Sequence, residues 1–590
     1  MSRLFAELAA RYRAGATPAE VVASTYDRIA AHNDPALFIR LLPHEQAQVY
    51  ARALRGCDPT SLPLFGVPFV IKDNIDLAGV PTTAGCPAFA YTPTISAPAV
   101  ERLIAAGAIP IGKTNLDQFA TGLVGVRSPY EIPRNVLNPT IIPGGSSSGS
   151  GCAVAAGLVP FALGTDTAGS GRVPAAMGNI VGLKPTCGLV STRGVVPAVR
   201  SLDCVSVFAS CVADAKTVLD IIGAFDAADP FSRRPQPARP ATRHLRIGIP
   251  SDVVLATCVP SVRESFITAC INLRMLGCSI VEIDYTPFAE AAASLYGGAW
   301  VAERTAGVGD FVAAHPDECH PLVRDIIMSG RTATAVAAHR DRYRLQELRR
   351  AAEAAWAMCD VLTLPTIPEY PTVNAVLADP VKLNSRLGTF TNFANLFDTA
   401  ALSVPVGMMS DGLPASVTLF APGWNDALIA DLGAALHARA GQGLGSDRTA
   451  TVPVAVRPIS GSGVALAVVG AHLTGQPLNG QLTDHGGLLE ETTRTAAKYR
   501  LYHLPTTPPK PGMVRVAEGG GHIQVEVWRL DETAFGRFVA SIPMPLGIGR
   551  IELEDGRVVN GFVCEPYGVV GCTDITAHGG WRAFSTATGI

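Results

Sequence analysis

Histidine is absent from residue 45 to residue 242, an interval that holds two serine-rich clusters. A serine nucleophile there has no imidazole close by in sequence, so its base is either a distant histidine or another kind of residue. Lysine is scarce too. Of 47 basic residues only seven are lysines: Lys72, Lys113, Lys184, Lys216, Lys382, Lys498 and Lys510. In a chain that otherwise uses arginine, each lysine marks a place where losing a proton could matter, which arginine cannot do. Charge is low and balanced, 16% of residues with a formal net charge of −3, which removes any global electrostatic case for nucleic acid or an anionic membrane as partner. No apolar run is long enough, and free enough of proline and charge, to span a bilayer. The 13 cysteines form no C-x-x-C pair and no Cys/His metal spacing, which predicts reduced, mostly buried thiols in a cytoplasmic protein and no metal site. The opening "MSRLFAELAARYRAG" interleaves Arg3, Glu7, Arg11 and Arg13 with apolar residues and so reads as an amphipathic helix, not a signal peptide.

What is present is a large, well-packed chain of 590 residues, 48% hydrophobic. Thr17-Pro18-Ala19-Glu20 combines a capping box with proline at the first helical position, ahead of "AEVVASTYDRIAAH". "VPFVIKDNID" (67–76) reads as a buried strand, "APAVERLIAAG" as a helix ending at Gly107, "AIPIGK" as a strand and "TNLDQFATG" as the start of another helix. Alternation of this kind to about residue 440 predicts an α/β fold with one large sheet covered by helices. "DPFSRRPQPARPATRH" (229–244) reads as an internal loop, because the strand-like "LRIGIPSD" follows directly. Aperiodic sequence at 440–463 predicts a domain boundary. Beyond it, "VALAVVGAHL", "KYRLYHLP" and "HIQVEVWRL" read as strands and "DETAFGRFVASI" as a helix, while "RIELEDGRVVNGFVCE" reads as a hairpin turning at Asp555-Gly556. The domains expected are 1–440, a linker at 441–463, and a small α+β domain at 464–590.

Three motifs compete for the chemistry. Gly145-Ser146-Ser147-Ser148-Gly149 satisfies the G-x-S-x-G nucleophile elbow and would nominate Ser147, but Pro143-Gly144-Gly145 stands where the elbow needs a strand. "GAIPIGKT" (107–114) satisfies the phosphate-loop pattern, yet its middle is strand-like and one N–H donor is lost to Pro110. The third, "GTDTAGSGRVPA" (164–175), follows the apolar "LVPFAL" and gathers small residues around Ser170. It reads either as an ordinary tight turn or as a place where main-chain N–H groups approach a ligand. Lys72, after "PFVI", offers the missing base: burial lowers a lysine pKa, and a neutral amine accepts a proton near neutral pH. Its alternative is a surface ion pair with Asp73 or Asp76.

"VPFVIKDNID", "IGKTNLDQFATG", "NPTIIPGGSSSGSG" and "LGTDTAGSGRVPAAMGNIVGLKPTCG" together resemble the amidase signature family of serine hydrolases, over most of residues 1–440. The resemblance implies a large twisted mixed β-sheet covered by helices, no cofactor, and a catalytic set of Ser170 as nucleophile, Ser146 as relay after a cis peptide bond, and Lys72 as base. It implies an oxyanion hole of main-chain N–H groups at Thr167, Ala168, Gly169 and Ser170, with Gly122 at the substrate. Ser147, Ser148 and Ser150 are then turn residues or supports. The chain departs from the common Gly-Gly-Ser-Ile pattern in having Ala168-Gly169-Ser170-Gly171.

Within that family, "SLYGGAWVAERTAG" (294–307) and "VVGAHLTGQPLNGQL" (468–482) are similar to the allophanate hydrolase branch. That likeness implies a small anionic amide as substrate, with Arg304 and Tyr296 gripping its carboxylate. It also implies a γ-glutamyl cyclotransferase-like C-terminal domain with His472 as its candidate catalytic residue, a packed histidine at a strand end being the alternative. The assembly implied is a homodimer, with a functional link to a urea carboxylase or a biuret-forming enzyme. The rival readings are a broader small-amide amidase and a glutaminase-like amidotransferase subunit.

Overall fold

A computed structural model describes residues 3–236, 245–441, 444–447, 452, 463–483, 487–530 and 532–589. Part of the loop expected at 229–244, and most of the boundary expected at 440–463, lie outside the described residues. The described residues divide into two compact units, 3–236 with 245–452, and 463–589.

The first unit is built on strands β1 (Phe38–Leu41), β2 (Pro68–Lys72), β3 (Ile109–Thr114), β4 (Phe161–Asp166), β5 (Val181–Lys184), β6 (Cys204–Ala209), β7 (Arg246–Ile249), β8 (Ser279–Glu282), β9 (Val361–Pro365), β10 (Thr399–Met408) and β11 (Pro414–Pro422). They form one 11-stranded mixed sheet in the order β1-β3-β2-β4-β6-β5-β10-β11-β9-β7-β8. β2 lies parallel to both β3 and β4, while β6 runs antiparallel to β4 and β5. Every residue of β2, β3, β4, β5 and β6 is buried, which is why these strands are mostly apolar and do not alternate apolar with polar residues. The phosphate-loop look-alike is accordingly a strand: Lys113 in β3 is buried and paired with Asp73 at 2.9 Å.

The helix start at Thr17 is confirmed in detail. Glu20 N–H donates to Thr17 Oγ1 at 3.2 Å and Thr17 N–H to Glu20 Oε2 at 2.8 Å, ahead of the helix Pro18–His32. The helix expected at "TNLDQFATG" does not form. Only one 3-10 turn, Gln118–Ala120, appears there, with Phe119 and Ala120 at φ of 49° and 51°. The Asp117 carboxylate accepts from the N–H groups of Val124, Gly125 and Arg127 at 3.3, 3.0 and 2.9 Å. A short acidic side chain that takes backbone donors further along the chain competes with the helix ladder, and here it wraps 117–127 into a loop.

The second unit contains β12 (Val464–Val468), β13 (Leu488–Arg494), β14 (Tyr499–Leu504), β15 (Lys510–Arg515), β16 (Gln524–Leu530), β17 (Leu546–Glu552), β18 (Val558–Cys564) and β19 (Thr573–Asp574), with a helix at Glu532–Ala540. The sheet orders are β13-β16-β12-β18-β17 and β15-β14-β19. The β17–β18 hairpin turns where the sequence placed it, with Gly556 at φ +86°.

Candidate active site

Lys72 closes β2 and has no solvent exposure. Its Nζ lies 2.8 Å from Ser146 Oγ and 2.8 Å from Thr165 Oγ1. Burial lowers its pKa to about 7, against the pull of the Asp117, Asp166 and Asp203 carboxylates. Near neutral pH a large share of the amine is therefore uncharged, with one lone pair for the Ser146 hydroxyl and N–H groups for Thr165. The surface ion pair with Asp73 or Asp76 is excluded, since Lys72 is buried, Asp73 is engaged by Lys113 and Thr83, and Asp76 by Thr82 and Tyr91.

Ser146 follows Gly145 through a cis peptide bond. A Cβ at Gly145 would collide with Asp117 Oδ2 and stand 2.5 Å from the N of Gly125, so the position admits only glycine. The other serines of the run face the sheet. Ser147 Oγ donates to Thr165 O at 3.2 Å, Ser148 Oγ to Asn115 O at 3.4 Å and Ser150 Oγ to Leu163 O at 2.9 Å. They fasten the start of helix Ser148–Ala155 to its neighbours, and the one hydrogen bond of the Ser147 hydroxyl goes to a main-chain carbonyl and not to a base.

Ser170 sits where β4 turns into the short helix Val173–Met177, and is 3% exposed. The turn is braced by a fully buried ion pair, Arg172 Nε to Asp166 Oδ2 at 2.9 Å, and by Gly171 N–H to the same oxygen at 3.0 Å. Burial is the largest influence on the Asp166 carboxylate and opposes its charge, but Arg172, Lys184 and the Gly171 N–H together outweigh it and hold the pKa below the ordinary value. Ser170 Oγ donates to Gly122 O at 3.5 Å, not to Ser146. That length is at the outer limit for a hydrogen bond, so the hydroxyl is weakly held.

Among the described residues, the N–H groups of Ala168, Gly169 and Ser170 make no hydrogen bond. Gly169 has φ +154°, and a Cβ on it would lie 2.5 Å from Thr391 Oγ1. The preceding carbonyls are gathered by one side chain: Asn395 Nδ2 reaches Asp166 O, Thr167 O and Leu202 O at 2.7, 3.1 and 2.7 Å. Thr167 Oγ1 donates to Asp203 Oδ1 at 2.5 Å, and burial raises the Asp203 pKa.

Arg304, on the helix Ala299–Ala314, is 1% exposed and has no carboxylate partner among the described residues. It is therefore not a surface arginine. Its Nη1 donates to Thr121 Oγ1 at 3.2 Å, while Nε and Nη2 are buried without a partner. Nε–H and Nη2–H share one edge of the guanidinium, the fork that takes a carboxylate through two parallel bonds. The Tyr296 ring lies 5.1 Å from Arg304 Cζ, and its hydroxyl is likewise buried and unpaired. Thr121, which holds Arg304, is adjacent in the chain to Gly122, whose carbonyl meets Ser170. Arg304, through Nη1, and the Ser170 hydroxyl thus attach to neighbouring residues, and neighbouring Cα atoms are ~3.8 Å apart.

In the second unit His472 is 9% exposed, with Phe562 stacked at 5.1 Å and Phe538 edge-on at 5.1 Å. Its Nε2 meets Gln481 Oε1 at 2.9 Å, and burial lowers its pKa.

Sequence reasoning missed Thr165, Asp203 and Asn395. Thr165 was within reach: Ile71 on β2 pairs with Leu163 on β4, so a two-strand alignment places Thr165 beside Lys72. Asn395 comes from a distant helix, and nothing local marks it.

A family model described as Amidase matches residues 20–429, and one described as Allophanate hydrolase C-terminal domain matches residues 464–586. The chain is 43% identical over 581 residues to the urea amidolyase of Lachancea kluyveri, covering 94% of this chain and 31% of that protein. It is 37% identical over 408 residues to a glutamyl-tRNA(Gln) amidotransferase subunit of Chloroflexus aurantiacus, covering 63% of this chain and 82% of that protein. The crystal structure of Kluyveromyces lactis allophanate hydrolase superposes with a TM-score of 0.84 at 40% identity, covering 98% of each chain. The present chain spans about a third of the length of the urea amidolyases it matches, 31% and 30%. With the paired Lys72 and Ser146, the cis peptide and the turn at Ser170 all within the first match, the chain belongs to the amidase signature family and carries an allophanate hydrolase C-terminal domain after its amidase domain.

Proposed function

We propose that the protein is an amidohydrolase that cleaves the terminal amide of allophanate, releasing ammonia. The observation that carries this reading is the unpaired, buried Nε/Nη2 edge of Arg304 beside the unpaired Tyr296 hydroxyl, tied through Thr121 and Gly122 to Ser170. A buried guanidinium with free N–H groups is costly to keep unless its partner is a ligand. A short anion, with its carboxylate on Arg304 and its amide at Ser170, meets that need.

In this reading Ser170 Oγ leaves Gly122 O and attacks the amide carbon. Its proton passes to Ser146, and the Ser146 proton passes to neutral Lys72 at 2.8 Å. The oxyanion is met by the free N–H groups among Thr167, Ala168, Gly169 and Ser170. Ser146 then protonates the departing ammonia, and water releases the acyl group by the same relay reversed. The product, N-carboxycarbamate, loses carbon dioxide and yields a second ammonia; His472 is the candidate residue for that step in the C-terminal domain. Domains at 1–440 and 464–590 joined by a linker at 441–463 fit this division of labour. A urea-carboxylating enzyme is the source of substrate that this reading calls for, and a homodimer is the assembly expected by family resemblance. No helix among the described residues is long and apolar enough to cross a membrane, in keeping with a cytoplasmic site of action.

The test is ammonia released by the purified protein from allophanate, without ATP or partners, against biuret, malonamate and a longer aliphatic amide. Selective turnover of allophanate with two ammonia per molecule is expected. Turnover of the longer amide alone would overturn the small-anion reading. Similarity to the amidotransferase favours a glutaminase reading, which glutamine hydrolysis in the same assay would support.

A further inference from the structure

Lys184 is buried, with no carboxylate within ion-pair distance among the described residues, and the relay makes no use of it. Its surroundings are two cysteines. Cys187 follows β5, Cys204 begins β6, and the Cys204 thiol donates to Cys187 Sγ at 3.6 Å. Lys184 Nζ stands 3.8 Å from Cys204 Sγ and donates to Pro185 O at 2.6 Å. Cys187 is the half-buried member of the pair and lines a cavity of about 270 Å³ together with Arg200, Arg233 and Arg349 and the carboxylates of Asp203 and Asp398, the last paired with Arg233 at 2.7 Å. Arg233 also donates to Cys187 O at 3.1 Å.

The two sulfurs are not equivalent. The hydrogen bond from Cys204, followed by the Lys184 charge, holds the Cys187 thiol below its ordinary pKa despite burial. Donating that bond, together with burial, pushes Cys204 well up. Burial opposes the Lys184 ammonium, but the two sulfurs and the Asp166 carboxylate together outweigh it. A thiol of lowered pKa on a cavity lined by three arginines and by Asp203 and Asp398, with a second thiol 3.6 Å behind it, is the arrangement of an attacking and a resolving cysteine.

We propose that Cys187 and Cys204 are an oxidation site, a thiol pair that hydrogen peroxide closes to a disulfide and that thereby slows the amidase centre. The Cys187 thiolate attacks one peroxide oxygen, the O–O bond breaks, and sulfenic acid and hydroxide result. Cys204 sulfur then attacks Cys187 sulfur, the S–S bond forms, the S–O bond breaks, and the Cys204 proton leaves with the hydroxyl as water. Counting the proton that Cys187 had already released, two thiols and one peroxide give one disulfide and two waters, the two electrons passing to peroxide.

The path to the active site is short. Cys204 pairs in register with Asp166 across β4 and β6. The residue before it, Asp203, holds Thr167 Oγ1 and the N–H groups of Ala198 and Val199. Closing the sulfurs from 3.6 Å to the ~2.05 Å of a disulfide draws the head of β6 toward Cys187 and takes the Asp203–Thr167 contact with it. Displacements of ~1 Å beside a reacting centre cost up to ~100-fold in rate.

The experiment treats the full chain with about equimolar hydrogen peroxide, blocks the remaining thiols and maps peptides by mass. The expected result is a Cys187–Cys204 cross-link with a loss of about 2 Da, a fall of about 10-fold to 100-fold in ammonia release, and recovery with dithiothreitol. Cys187→Ala and Cys187→Ser should keep the untreated rate and resist peroxide. Absence of the cross-link overturns the proposal, as does a cross-linked protein of unchanged rate or equal peroxide inactivation of the Cys187 variants. The cross-link is read by mass on the unaltered chain, so it stands or falls whichever amide proves to be the substrate.

Discussion

Replacing Arg304 by methionine separates substrate recognition from folding. The side chain is 1% exposed and offers two unpaired donors on one edge. Hydrogen bonds to a charged partner contribute ~1.5–3 kcal/mol each, so two of them contribute ~3–6 kcal/mol, or about a hundredfold to ten-thousandfold in kcat/KM for an anionic amide. A neutral amide of similar size makes no use of the fork and should lose little. The unliganded protein should move the opposite way. Arg304→Met removes a buried, incompletely paired charge and gives up one 3.2 Å bond to Thr121, so thermal unfolding should occur at an unchanged or higher temperature. The assay is ammonia release from allophanate and from a neutral short amide, beside a melting curve. Equal losses on both substrates, or a lowered melting temperature, would refute the carboxylate-fork argument and make Arg304 a structural residue.

With the Lys72 pKa at about 7, kcat/KM should fall about tenfold per pH unit below that value, since in the proposed relay the active base is the uncharged amine; a flat profile from pH 5 to 8 would remove Lys72 from the relay. Thr165→Val deletes an acceptor that favours the ammonium form, so the same limb should move to lower pH, and movement upward would contradict the hydrogen-bond assignment. Ser170→Ala and Lys72→Ala should each abolish ammonia release, whereas Ser147→Ala, which loses one bond to Thr165 O, should keep most activity and cost ~0.5–1.5 kcal/mol of stability. His472→Ala should leave the first ammonia and slow the second, and a stoichiometry of two ammonia at the unaltered rate would return His472 to the role of a packed ring.

Much of the site was legible because its parts are local. An apolar strand ending in lysine announces burial, and the small residues around Ser170 announce a tight turn. The histidine-free interval forced attention onto lysine. The likeness to a known family then paired Lys72 with two serines far along the chain, which spacing alone could not do. What failed was the helix at "TNLDQFATG". Its composition is helical, but Asp117 spends its carboxylate on three downstream N–H groups, a competition that depends on where the loop must go. Arg304 was placed by resemblance, while its value as evidence lies in burial and unpaired atoms, which no helical pattern shows. Asn395 was illegible, because its partners are backbone carbonyls, which every residue has.

The Asn395 contacts carry a directional consequence. In a trans peptide unit the C=O and N–H point opposite ways. Fixing the carbonyls of Asp166 and Thr167 toward one amide group therefore aims the N–H groups of Thr167 and Ala168 away from it, as a pair. An acceptor on each carbonyl also polarises its peptide, which strengthens the donor at the other end. A side chain contributed from far along the chain thus sets the compass heading of two dipoles, and under the proposed mechanism the turn around Ser170 does not have to reorganise when charge develops there.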